Sequence, residues 1–219
     1  MSNRQDRTLK VTEIYKSIQG ESTYAGLPCT FVRLTGCNLR CSYCDTEYAF
    51  YGGTRLTIRS ILQKVKRLNV PLVEITGGEP LLQPDCKTLA SELIREGYTV
   101  LIETGGSINI SKLPKKTILI FDIKCPGSGM SHYMRWENLE FLKPTDQIKF
   151  VVKNRSDFLW SLRTIRKYSL AGKVPLLMSA TKPHLDEALL TEWILKSRAP
   201  VRLNVQLHKH IWDPSERGK

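Results

Sequence analysis

No stretch of this chain approaches the roughly 20 consecutive apolar residues that a membrane-spanning helix needs. The opening MSNRQDRTLK also lacks the apolar core of a secretory signal. A soluble, cytoplasmic protein without a membrane partner is the expectation. Aromatic residues are scarce, at 8%, and form no base-stacking platform, so no nucleic-acid partner is expected. Acidic residues are outnumbered: 33 Lys and Arg face 21 Asp and Glu, for a net charge of +12. That excess is dispersed in small groups such as Lys64, Lys66 and Arg67, or Arg163, Arg166 and Lys167. No block is long enough for a basic tail, and the charge suits an anionic small molecule or an acidic protein partner. Repeats, low-complexity tracts and linkers are missing too, so the 219 residues read as one domain.

What is present is an ordinary globular mix, 41% hydrophobic and 25% charged. Apolar runs rich in Val, Ile and Leu predict strands at 29–34, 72–76, 99–103, 118–122, 147–152, 176–179 and 202–206, with an added strand over 11–18. Such runs, apolar without polar alternation, suit parallel strands covered on both faces. Amphipathic spacing predicts helices over 57–68, 84–96, 156–167 and 185–196, the third capped by Ser156 and Asp157. Strand–helix–strand repetition implies a parallel α/β sheet with right-handed crossovers, either a partial barrel or a doubly wound sheet. In both, ligands bind at the C-terminal ends of the strands. Gly36-Cys37, Thr76-Gly77-Gly78-Glu79-Pro80, Glu103-Thr104-Gly105-Gly106, Asp122-Ile123-Lys124 and His208 all fall at such ends.

Three of the six cysteines, Cys37, Cys41 and Cys44, stand in a C-x3-C-x2-C spacing. In a cytosolic chain they are not expected to form disulfides. A structural zinc takes four protein ligands, and no fourth Cys or His follows at finger spacing. An iron–sulfur cube also takes four, so three thiolates leave one iron open to a small molecule. Glu103 ends an apolar strand, where an unpaired carboxylate is costly, so it is expected to face a ligand.

The cysteine triplet with Tyr43, followed by Gly77-Gly78-Glu79-Pro80 on the next strand, resembles the radical S-adenosylmethionine superfamily. Ser17-Ile18-Gln19-Gly20-Glu21, Arg33, Cys44-Asp45-Thr46 and Gln206-Leu207-His208-Lys209 narrow the likeness to the 7-carboxy-7-deazaguanine synthase family. The resemblance runs from about Glu13 to His210. It implies a single-domain partial (β/α)6-type barrel over 1–219, with residues 1–28 as an N-terminal extension carrying a substrate-binding segment. It also implies conversion of 6-carboxy-5,6,7,8-tetrahydropterin to 7-carboxy-7-deazaguanine with loss of ammonia, by hydrogen abstraction at C6, rearrangement and return of the hydrogen. The implied cofactors are a [4Fe–4S] cluster, S-adenosylmethionine and Mg²⁺. The implied partners are a flavodoxin- or ferredoxin-type electron donor and a second copy of the chain.

Carried onto matching positions, the resemblance implies that Cys37, Cys41 and Cys44 ligate the cluster and Thr46 ligates Mg²⁺. Gly78, Glu79, Lys124, Cys125, Pro126 and Ser179 are expected beside S-adenosylmethionine, with Cys125 as a packed thiol. Ile18, Gln19, Gly20, Glu21 and Thr76 are expected at the pterin, Arg33 at its carboxylate and His208 in its pocket. Arg33, Glu103 and His208 are the candidate catalytic residues. Ser22 stands where the family often has Gly, and Cys29 and Cys86 form no second cluster. The tail after His210 is a candidate cover for the pocket. Two other readings compete: an activating enzyme of the same superfamily acting on a protein, and a metal-stabilised RNA-binding module. The first lacks the Gln-Gly-Glu and Arg33 combination, and the second lacks aromatic patterning.

Overall fold

A computed structural model describes residues 4–213 and 216–218. One nine-stranded sheet organises the chain. Its strands are β1 (Thr8–Ile18), β2 (Pro28–Leu34), β3 (Thr54–Thr57), β4 (Leu72–Gly77), β5 (Thr99–Thr104), β6 (Ile118–Ile123), β7 (Gln147–Val152), β8 (Leu176–Ala180) and β9 (Arg202–Leu203). They lie in the order β3-β1-β2-β4-β5-β6-β7-β8-β9. From β2 through β9 every neighbouring pair is parallel. β1 runs antiparallel to β2 and to β3. Helices α1 (Ile58–Leu68), α2 (Cys86–Arg95), α3 (Arg155–Lys167) and α4 (Glu187–Ser197) supply four of the crossovers, and a short α5 (His208–Ile211) follows β9.

The two faces of the sheet separate by the two-residue period of a strand. Val32, Ile75, Ile102, Phe121, Phe150 and Met178 point to one face, where they join Ile61 of α1, Leu89 of α2, Phe158 of α3 and Leu190 of α4 in one large core. Burying each such side chain contributes roughly 1.5–3 kcal/mol. The opposite face has only a small apolar cluster, Cys29, Phe31, Leu72, Leu101 and Ile120. Further along the same strands it presents Arg33, Thr76, Glu103, Asp122 and Lys149. All four long helices therefore cover one face, and the other encloses a polar lumen. This is the partial barrel, not the doubly wound sheet.

Local structure departs from the sequence expectations at three places. β3 is a short edge strand that the sequence pattern did not indicate. The strand expected over 202–206 is shortened to Arg202–Leu203; Asn204 still donates its N–H to Met178 O at 2.8 Å, and its side chain bonds Ser179. The α3 cap is Asn154, whose Oδ1 accepts from the Asp157 N–H at 3.0 Å. Asp157 instead holds the Gly127 and Lys153 N–H groups, at 2.8 and 3.1 Å, and joins α3 to the loop after β6.

Candidate active site

The loop carrying Cys37, Cys41 and Cys44 leaves the end of β2 and is tied down by three neighbours. Asn38 bonds Ser107 after β5 at 3.1 Å. Ser42 donates from its N–H to Ser128 O at 3.0 Å and from its hydroxyl to Gly127 O at 2.8 Å, both after β6. Tyr43 donates to Val151 O of β7 at 3.2 Å. The three thiols are half-buried, and burial pushes Cys41 up to about 11 against the pull of Lys124. Lys124 is itself paired with Asp122 at 2.8 Å.

The end of β4 approaches this loop at van der Waals distance. A Cβ on Gly78 would stand 2.5 Å from Gly36 O and 2.6 Å from the Cys37 Cβ, so only glycine fits. Gly77 has φ +151°, with Leu34 directly against it. Glu79 donates its N–H to Gly36 O at 2.9 Å. Its buried carboxylate accepts from Leu81 N–H at 3.1 Å, Thr104 hydroxyl at 2.9 Å and Gly105 N–H at 2.8 Å. Glu79 thus stitches the ends of β2, β4 and β5 together, with its oxygens already engaged.

Below this rim lies a buried ionic cluster centred on Lys149, whose side chain is 4% exposed. Its ammonium meets Glu21 at 2.5 Å, Asp122 at 3.7 Å, and Glu103 as a close ion pair. Burial opposes the charge, but the three carboxylates outweigh it and hold the ammonium protonated far above its ordinary range. Burial likewise raises Glu21, and Lys149 overcomes it, so Glu21 stays ionised. Thr76 reaches Glu103 at 3.4 Å. The Asp122 Oδ1 is buried with no hydrogen-bond partner among the described residues, an acceptor left for a ligand donor.

The segment Ile18–Glu21 leaves β1 opposite Pro28, the first residue of β2, so it floors the lumen on the side away from the cysteines. Gln19 is engaged at both ends of its amide: one N–H donates to Glu74, and its side-chain oxygen accepts from Glu21 N–H at 2.5 Å. Gln19 thus braces the floor through one amide N–H and its side-chain oxygen. Ser22 takes φ +68°, the left-handed conformation that suits glycine, and donates its N–H to Asn204 Oδ1 at 2.8 Å. Gly20 lies flat against the His208 ring, which a Cβ would overlap. Burial lowers the His208 imidazole against the pull of Glu21, so it favours the neutral form.

The strap after β9 closes over this floor. Gln206 donates to Glu21, Leu207 N–H to Gly20 O at 2.9 Å, and Lys209 pairs with Asp45 at 2.9 Å and with Gln206 at 2.7 Å. Thr46 donates to Asp45 Oδ1 at 2.9 Å. Arg217 stacks on Tyr48 at 4.4 Å. Pro214, Ser215 and Lys219 of the tail lie outside the described residues.

Most of the expected residues therefore surround one lumen, and three of them are engaged by neighbouring side chains. Cys125 packs in the outer core against Ser161 at 3.3 Å, so its thiol has no access to a ligand, and only its backbone borders the rim. Ser179 is fully buried and accepts from Asn204 at 2.7 Å. Arg33 is engaged by Glu13 at 2.7 Å and Tyr15 hydroxyl at 2.9 Å, which leaves Nη1 free to receive a further anion. Sequence reading placed Asp122 at a ligand-facing strand end but missed Lys149, Glu74 and Asn204 as parts of the site. The signal for the first two was the one used for Glu103: a charge inside an apolar strand.

The donor set fits an iron–sulfur cube. Three soft thiols share one loop, while Cys29, Cys86 and Cys125 are buried elsewhere. Among the described residues no three His, Cys, Asp or Glu converge tightly enough for a single metal ion. Thiols at three corners of a cube stand further apart than that. Among the described residues no helix is long and apolar enough to cross a membrane.

Comparison with known proteins points the same way. Residues 31–120 match the radical SAM superfamily. A 7-carboxy-7-deazaguanine synthase from Koribacter versatilis is 42% identical, covering 96% of this chain and 100% of the relative. One from Chlorobaculum tepidum is also 42% identical, covering 96% and 97%. Among solved structures, QueE from Escherichia coli aligns with a TM-score of 0.76 at 21% identity, covering 92% of this chain and 95% of that one. SuiB from Streptococcus suis, bound to S-adenosylmethionine, aligns at 0.52 and 15% identity, covering 77% and 48%. At those identities the two structures establish the fold alone.

Proposed function

The chain belongs to the 7-carboxy-7-deazaguanine synthase family of the radical S-adenosylmethionine superfamily, and on that premise we propose that it converts 6-carboxy-5,6,7,8-tetrahydropterin into 7-carboxy-7-deazaguanine with loss of ammonia. This is a lyase reaction, a step of queuosine biosynthesis. The enzyme uses a [4Fe–4S] cluster and S-adenosylmethionine, which when bound would supply the radical chemistry that the protein itself cannot.

The chain's own residues bind and orient. Cys37, Cys41 and Cys44 hold the cluster. Gly78, Lys124, Pro126, the Cys125 backbone and Ser179 line the S-adenosylmethionine side, and Glu79 shapes that wall through the loops it joins. Arg33 receives the substrate carboxylate, since a guanidinium matches it geometrically. Glu21, kept ionised by Lys149, and Glu103 accept hydrogen bonds from the guanidine-like edge of the pterin, beside Thr76 and neutral His208. Ile18, Gln19 and Gly20 set the floor that seats the ring and excludes water. Thr46 is the residue whose hydroxyl would hold Mg²⁺, an ion that takes few protein ligands. A flavodoxin- or ferredoxin-type donor supplies the electron, and the working form is a homodimer.

The observation that carries this reading is the charged lumen lying directly beneath a three-cysteine loop. The test is an anaerobic product assay. Reconstituted protein with S-adenosylmethionine, dithionite, Mg²⁺ and the tetrahydropterin acid is expected to yield 7-carboxy-7-deazaguanine by mass spectrometry, and Cys41→Ala to yield none. 5′-Deoxyadenosine without that product would mean a different substrate.

A further inference from the structure

Arg40 lies between Leu39 and Cys41 and points to the outside of the cysteine loop. Its Nη1 donates to Cys37 O at 2.9 Å and to Leu39 O at 2.7 Å. Its Nη2 reaches the Tyr51 hydroxyl at 3.3 Å. The guanidinium stacks on the Phe50 ring at 4.3 Å, and Tyr51 is 73% exposed beside it. None of these bonds goes to a carboxylate, so the cation is not neutralised by its contacts. Two further cations at the loop, Lys124 and Lys209, are neutralised by Asp122 and Asp45, and Lys153 reaches the loop at Ser42 Oγ, at 3.4 Å.

Two features make this arrangement more than a surface brace. The carbonyls that Arg40 holds belong to the first cysteine and to Leu39, whose N–H points at Cys37 Sγ at 3.4 Å. Fixing the 37–39 turn therefore also fixes an N–H donor on a ligand sulfur. Net charge, hydrogen bonds to the sulfurs and solvent exposure are what set the potential of an iron–sulfur cluster. One-electron reduction adds a negative charge to the cluster, and a nearby unpaired cation stabilises that form.

We infer that Arg40 is a positioning residue for the cluster, bracing the Cys37–Cys41 turn from outside and making the cluster easier to reduce by one electron. This rests on the cluster assignment to Cys37, Cys41 and Cys44 made above. The electron comes from a low-potential one-electron donor and stays on the cluster, so no bond or proton is involved in the step.

The test is an anaerobic redox titration followed by electron paramagnetic resonance, with iron and sulfide counted per chain. Arg40→Gln removes the charge and Arg40→Lys keeps it. Tyr51→Glu, at an exposed site, sets a carboxylate against the guanidinium without altering the loop. At a fixed solution potential the ratio of reduced to oxidised cluster is expected to fall about tenfold in Arg40→Gln, a shift of about 59 mV for one electron. It should fall in the same direction in Tyr51→Glu and change least in Arg40→Lys. Titrations of Arg40→Gln and wild type that coincide would overturn the inference, as would Arg40→Lys shifting as far as Arg40→Gln. If Arg40→Gln does not hold its cluster, Tyr51→Glu decides alone: a curve coincident with wild type overturns the role of the charge. A wild-type protein that binds no cluster would instead overturn the assignment of the cysteines, which separates the two failures.

Discussion

Four carboxylates, Glu21, Glu74, Glu103 and Asp122, point into the lumen of this fold with one lysine at their centre. Three of them share Lys149, and breaking such a group by removing one partner typically costs about 3–5 kcal/mol. Glu74 is different. It faces Gln19 rather than the ammonium, and burial, reinforced by the charge of Glu103, pushes its carboxyl up to about 8. The unfolded chain's carboxyl titrates near about 4.3, so the folded state binds this proton more tightly. The stability it contributes is full below about pH 4 and is lost as pH rises through about 8. Glu74→Gln keeps an acceptor for Gln19 and does not ionise. Its melting temperature, relative to wild type, should therefore be higher near pH 8.5 than near pH 5, by about 2 °C or more. Thermal unfolding at the two pH values checks this, and an equal difference at both would show that the carboxyl is not held protonated.

Helix α3 shows how element boundaries escape a sequence reading. Asn154, Ser156 and Asp157 are all good capping residues, and periodicity cannot rank them. The fold chooses Asn154 because Asp157 is taken by the Gly127 and Lys153 N–H groups. Asn154→Ala should destabilise the protein by about 1 kcal/mol, lowering the melting temperature by about 2–4 °C. Exposed Ser156→Ala should leave it unchanged. The reverse order in calorimetry would return the cap to Ser156. β3 and the shortened β9 escaped for a related reason: each is an edge segment, set by what it pairs with and not by its own composition.

Across the whole molecule, the sheet is open between its β3–β1 side and its β9 side, and the strap from Asn204 onward spans that opening. It is held by Asn204 on Ser22 and Ser179, Gln206 on Glu21, and Lys209 on Asp45. Lys209 joins this strap to the cysteine loop. The pair is partly exposed, so its removal is worth at most about 1 kcal/mol. Lys209→Ala should speed amide hydrogen exchange over residues 204–211 by up to about fivefold, leaving β4 through β7 unchanged. Exchange identical to wild type would mean that the strap is held without this pair.

The parallel α/β character, the cysteine triplet, the Gly77-Gly78-Glu79-Pro80 turn and the family likeness were all legible in the order of the residues. Those are local facts: a spacing on one loop, a glycine demanded by a close approach, an apolar run of strand length. Only the tertiary structure decided that the helices share one face, that Gln19 and Glu79 spend their side chains on internal bonds, and that Lys149 gathers residues from β5, β6 and the floor loop. The physical reason is that these depend on which residues meet across the barrel. Glu21 and Lys149 are separated by most of the chain, and nothing in either residue's neighbourhood names the other. An apolar strand with one charge in it states that a partner exists; packing alone states which.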